Sequence, residues 1–153
     1  MTTHYLRVVE GLDILDNVLA PFIVRVLREH YDHDWWWHGV LGTLHPDQRR
    51  RLPHGGDTDH LIQWMDPAIC LNVIEHHWKD LFSREFRPET LSWVRELHAT
   101  RNTIAHKGPA DIDQAYARHT LDLVRKVVAP IDASAADRVM MLAAQLSRIE
   151  TPL

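Results

Sequence analysis

A single cysteine, Cys70, stands among 153 residues, so no disulfide framework can form within the chain and packing alone must hold the fold. Glycine is scarce, with six residues, and no Gly-rich loop of the Walker type occurs, which excludes an encoded P-loop ATPase. No uncharged run approaches the length of a membrane span, so no membrane role is expected. Met1 to Glu10 carry no apolar run flanked by basic residues, so a signal peptide is not expected either. Together with the lone thiol, these absences point to a cytoplasmic protein. Positive charge is also short. The formal net charge is −4 and the pI is near 6.3, which excludes a basic protein that coats nucleic acid by bulk counterion release. Any nucleic-acid contact has to be local.

What the chain does have is helical periodicity, and no segment reads as a strand. At 45% hydrophobic and 25% charged residues, it has the composition of one soluble globular domain with a single core. From Tyr5 to about His30, Leu6, Val9, Leu12, Leu15, Leu19, Phe22, Ile23, Val26 and Leu27 recur at the helical period, with Pro21 predicting a kink or two abutting helices. A second segment, about Asp59 to Phe82, places Leu61, Trp64, Met65, Ala68, Leu71, Ile74, Trp78 and Leu81 inward and should bend at Pro67; Cys70 within it reads as a small core residue. A third helix starts with Pro88 in its first turn and runs to His106. A fourth spans about Asp113 to Val128 with Asp111 as its cap. A fifth, about Ala133 to Ile149, shows a narrow seam of Val139, Leu142, Leu146 and Ile149 that either packs back on the bundle or continues toward another element. The expectation is an all-α bundle of about five helices, with an irregular Trp-rich loop between Tyr31 and Thr58.

Three polar side chains break the pattern of the third helix. At about 100° per residue, Val94, Leu97, Ile104 and Ala105 fall within about 60° of Arg101, so its guanidinium lies along the apolar stripe. A charge there needs a carboxylate, a second chain or a bound phosphate. Asn102 and His106 stand four apart on the flanking face, and Lys107-Gly108-Pro109 ends the helix. On an ideal helix His106 lies about 140° from Arg101. The two meet in one site only if the helix end loosens or a second subunit contributes.

Arg101-Asn102-Thr103-Ile104-Ala105-His106 resembles the Arg-Asn-x-x-x-His signature of the HEPN superfamily, small helical domains of which many are metal-independent endoribonucleases. The Trp93-Val94-Arg95-Glu96-Leu97 lead-in, the Ala105-His106 ending and the Asp113-Gln114-Ala115-Tyr116 helix start look like one subgroup. That subgroup takes its name from a nuclear transcript-quality-control endonuclease of eukaryotes, and in prokaryotes it often heads large ATPase- or helicase-like proteins. The similarity extends from about Tyr5 to Ile131. A tryptophan often precedes the Ala-His pair in the subgroup, where this chain has Ile104, which keeps the position apolar.

The resemblance implies a HEPN-like domain over residues 1–131, followed by a C-terminal amphipathic helix over 132–153 that leads toward a further domain. It also implies RNA cleavage by attack of the ribose 2′-hydroxyl, leaving a 2′,3′-cyclic phosphate. In that chemistry His106 is the general acid or base, Arg101 clamps the phosphate, and Asn102 orients the phosphate or the imidazole. Glu96 is a supporting residue and Lys107 a substrate-binding one. No cofactor is implied. The partners implied are RNA, a second copy of the chain in a homodimer, and a downstream ATPase or helicase domain of a defence protein or an antitoxin-like partner, as for a toxin-like effector in phage defence. Two other readings stay open: a non-catalytic module that docks RNA or another domain, and a structural dimerisation bundle in which Arg101 is paired and His106 caps its helix.

Twelve histidines raise the question of metal. His76-His77, the Asp57 to His60 cluster and the Asp32-His33-Asp34 cluster all lack the i,i+4 histidine pair with a glutamate that a zinc helix shows, so no metal site is expected. The Arg49-Arg50-Arg51 run reads as a solvated loop able to touch phosphates. In Trp35-Trp36-Trp37, anchoring of the loop on the core competes with a stacking platform for bases.

Overall fold

The structure, a computed structural model, describes the backbone of residues 3–107 and 112–150 and the side chains of residues 4–106 and 112–146. Among the described residues it is all-α, with seven helices: α1 (Thr3–Tyr31), α2 (Pro46–Arg49), α3 (Thr58–Ile62), α4 (Pro67–His76), α5 (Thr90–Lys107), α6 (Gln114–Val128) and α7 (Ala133–Glu150).

Helix α1 is the spine, touching α4, α6 and α7, while α5 lies between α4 and α6. It runs through Pro21 as one helix of 29 residues. The missing hydrogen bond is tolerated because Val18, Leu19, Ala20, Ile23 and Val24 are buried on both sides of the proline. Its buried face holds Val8 rather than Leu6, which is exposed. Gly11 lets α6 approach closely: a Cβ there would stand 2.4 Å from Leu121 Cδ2. Asp32, at φ 54°, ends the helix in the left-handed region, which aspartate enters more readily than most residues.

The Trp-rich connection is no single α-helix, but from Asp32 to Thr43 it is wound, and past α2 residues 50–57 are turn and irregular backbone. A 3-10 turn (Asp32–Asp34), a π-helical turn (Trp35–Val40) and a second 3-10 turn (Leu41–Thr43) lead into α2. Trp35 and Trp36 are buried, and Trp36 Nε1–H donates to the carbonyl of Pro53 at 2.8 Å. Two of the three tryptophans thus anchor the segment, and Trp37 is exposed. The buried His77 donates its Nε2–H to the Gly39 carbonyl at 2.9 Å, tying α4's end to the π turn.

The second segment breaks where a bend was expected. Proline restricts the residue before it to extended backbone, and Asp66, at φ −79° and ψ 172°, obeys. Its side chain accepts the Ile69 N–H at 2.8 Å, so a new helix starts at Pro67. The break resets the phase: Met65 is buried and Trp64 faces solvent, against the expectation that Trp64 points inward. Trp78 is partly buried, stacked on Phe86. Pro88 lies in the turn just before α5 rather than within it. The expected cap Asp111 lies outside the described residues; Asp113 caps α6 by accepting the Tyr116 N–H at 2.8 Å. Helix α7 packs back on α6 and α1 through buried Val139, Leu142 and Leu146, while the Ile149 side chain lies outside the described residues. No described helix is long and apolar enough to cross a membrane.

Candidate functional site

Helix α5 buries Val94, Leu97, Thr100 and Ile104. Ala105, which the wheel assigns to the same stripe, is exposed, so Arg101 occupies the rim of the buried face. Its side chain is 32% exposed, so part of it is covered while the charge keeps access to solvent. The nearest carboxylate is Asp66, whose Oδ2 stands 3.8 Å from Arg101 Nη2. That is an ion pair but too long for a hydrogen bond. Asp66's other oxygen is occupied with capping α4.

Arg101 lines an open groove of about 440 Å³ together with Asn102, His98, Asp66, Trp64 and Arg51. Three stretches of chain meet here: the loop around α2, the break before α4, and the middle of α5. Asn72 on α4 completes one wall and spends its amide on Thr43, at 3.1 Å to Oγ1. His98 is held at 3.2 Å from Glu75 Oε1, beside the arginine one turn along the helix.

Two of the three principal motif residues, Arg101 and Asn102, therefore share one groove. His106 does not line it; it is exposed in the last turn of α5. The Lys107 side chain and residues 108–111 lie outside the described residues. Glu96 faces another way and pairs with His119 of α6 in the same chain, at 2.5 Å. In the basic run, Arg49 donates Nε–H to the Leu44 carbonyl at 3.1 Å and Arg50 pairs with Asp47. Arg51 alone of the three reaches the groove. No group of three or more histidine, cysteine and acidic residues able to hold a metal occurs among the described residues.

Trp64, His98 and Asp66 are not site residues in the sequence reading, and Arg51 enters it only as part of a solvated basic run able to touch phosphates. His98 was within reach, standing three residues before Arg101 on one face. The others come from loops whose approach is tertiary.

Behind the groove lies a second polar cluster. Asp16 on α1 is pushed up to about 6 because burial disfavours its charged form and because Asp66 and Asp13 are close enough to repel it, although the Cys70 thiol, donating at 3.4 Å, partly offsets this. Burial likewise pushes the Cys70 thiol well up, which keeps it a donor. His77 is shifted downward by burial, consistent with a neutral ring that donates to Gly39.

No curated protein and no solved structure matches the chain. The family model described as Swt1-like HEPN does, over residues 10–132, a stretch that takes in most of α1, the whole groove and α6. With most of its length matched, and with the helical architecture and motif helix in place, the chain belongs to the Swt1-like HEPN family.

Proposed function

We infer that this HEPN domain acts on RNA and cuts it without a metal, with Arg101, Asn102 and His106 as the working residues. The observation that carries the reading is the state of Arg101: a guanidinium on the rim of an open groove, with its only carboxylate neighbour among the described residues at 3.8 Å. Its bidentate donors stay available for a phosphate. In the reaction the ribose 2′-oxygen attacks the adjacent phosphorus, a base takes the 2′-proton, and the bond to the 5′-oxygen breaks as that oxygen gains a proton. The products are a 2′,3′-cyclic phosphate and a 5′-hydroxyl end. Arg101 offsets the charge that grows on the phosphorane, Asn102 orients the phosphate, and an imidazole moves the protons.

Because His106 stands off the groove that holds Arg101 and Asn102, the reading places the complete site across a two-fold dimer, where one protomer's imidazole serves the other's arginine. The Lys107 side chain is assigned to the substrate, and Glu96 to holding α6 against α5 through His119. That same separation favours one competing reading, an RNA-docking or dimerisation module without turnover.

The test is cleavage of a single-stranded RNA in EDTA, with the 3′ ends of the products analysed. The expected result is 2′,3′-cyclic phosphate ends from wild type, and none from Arg101→Ala or His106→Ala at unchanged helicity. Equal cutting by all three proteins removes the catalytic assignment, and no cutting by wild type leaves the docking module.

A further inference from the structure

The groove holds more than the motif supplies. Trp64 is 44% exposed although tryptophan is among the most strongly buried side chains on average, and it lies in the same groove as two guanidiniums, Arg101 and Arg51. Its exposure is fixed by the fold. Asp66 caps α4 and Met65 fills the core at 1% exposure, while Gln63 and Trp64, the two residues between the end of α3 and Met65, are both exposed. Arg51 forms no ion pair among the described residues, unlike Arg50, which is bound to Asp47. Asp66, paired with Arg101, is the one carboxylate that lines the groove against these two cations. A site with a flat indole beside a surplus of positive charge, in a chain whose net charge is −4, is complementary to a base next to a backbone phosphate.

We propose that this groove is the single-stranded RNA subsite of the protein, with Trp64 stacking a nucleobase and Arg51 holding a backbone phosphate one step from the phosphate at Arg101. The inference rests on the RNA reading above and deepens it by naming two binding residues outside the motif. An unpaired strand is required because a base inside a duplex cannot lay its face on an indole. The volume, about 440 Å³, lies in the range of small-ligand sites and admits a nucleotide rather than a helix. The Asn72 side-chain carbonyl, whose amide nitrogen is engaged by Thr43, is an acceptor suited to a 2′-hydroxyl or an exocyclic amine.

The experiment measures anisotropy of a fluorescein-labelled 12-nucleotide oligo(A) RNA in EDTA, over a range of salt, on a His106→Ala parent that cannot consume the probe. Trp64→Ala is expected to weaken binding about tenfold, with Trp64→Phe recovering most of it. Arg51→Ala is expected to weaken binding and to reduce the slope of log K against log salt by about 0.7, one phosphate's share on a single strand. Arg50→Ala, outside the groove, leaves both unchanged. Circular dichroism of each variant guards against loss of fold, and Trp64→Phe covers the case where the alanine variant does not fold. The proposal is overturned by no binding of the probe, by Trp64 and Arg51 variants that bind like the parent, or by equal loss with inorganic polyphosphate as competitor at matched charge and no effect at Trp64. Cleavage by the wild-type background, read in parallel, separates the two claims. Cutting that is unaffected by Trp64→Ala and Arg51→Ala sinks the subsite and spares the nuclease; groove-dependent binding without cutting does the reverse.

Discussion

Asp66 does two jobs with two oxygens. One accepts the Ile69 N–H and starts α4; the other stands 3.8 Å from Arg101. The two roles are separable, because asparagine caps a helix as well as aspartate does but carries no charge. Asp66→Asn should leave the unfolding midpoint in urea unchanged and tighten RNA binding about two- to fivefold, by removing the competing anion. Asp66→Ala should instead cost about 1 kcal/mol of stability through the lost cap. Tighter binding by Asp66→Ala and not by Asp66→Asn would contradict this division of labour. Two other residues set a pH dependence of opposite sign. Asp16, pushed up to about 6, binds its proton more tightly folded than unfolded, so its contribution to stability falls as pH rises from about 4 to about 6. Since Asp16 is only partly buried, Asp16→Asn should stabilise the protein at pH 7 by no more than about 1 kcal/mol after allowance for solvent screening, and should flatten that fall. His77 is shifted downward by burial, so its contribution is lost as pH drops below the ordinary histidine range, and urea titrations of wild type and Asp16→Asn at several pH values separate the two slopes, the variant keeping only that of His77.

At the scale of elements, the helical period made most of the bundle legible, because burial of one face per helix is a local pattern repeated along the chain. Leu12, Leu15, Leu19, Ile23 and Leu27 on α1, and Val139, Leu142 and Leu146 on α7, stand in the core where their spacing puts them. The pattern failed where phase was lost. Trp64 is apolar and in register with Leu61 and Leu71 only if the helix is continuous, and the backbone constraint that Pro67 places on Asp66 ends that continuity. In the Trp-rich segment the periodicity is hidden by turns of unequal pitch. The tight contact between Gly11 and Leu121 also had no signature beyond one glycine in a helical run. Gly11→Ala should lower stability by about 1 kcal/mol, because crowding of the fully buried Leu121 outweighs alanine's better helix propensity. Gly55→Ala, with open space around it, should be near neutral. Urea denaturation of both checks the pair, and a stabilised Gly11→Ala would show that α1 and α6 yield to each other more easily than the contact implies.

At the scale of the whole molecule, the motif was readable and its setting was not. Arg101, Asn102 and His106 stand out on one helix, but the groove around Arg101 is assembled from residues near positions 44–52, 64–72 and 98–102, whose convergence is a product of tertiary packing alone. The same packing leaves His106 off that groove, which is why the proposed site draws on two chains. A dimer of the 17.8 kDa chain is therefore expected in sedimentation at the concentrations where RNA is cut, and full activity from a monomer would contradict the two-chain site. The most direct test mixes two inactive variants. Arg101→Ala and His106→Ala protomers, allowed to exchange subunits, form heterodimers in which one of the two composite sites has both groups intact. The account predicts recovery of about a quarter of wild-type cleavage in an equal mixture, half the dimers being mixed and half their sites complete. Heterodimers that form yet cut no RNA, beside a wild type that does, would show that arginine and imidazole do not meet across a subunit interface.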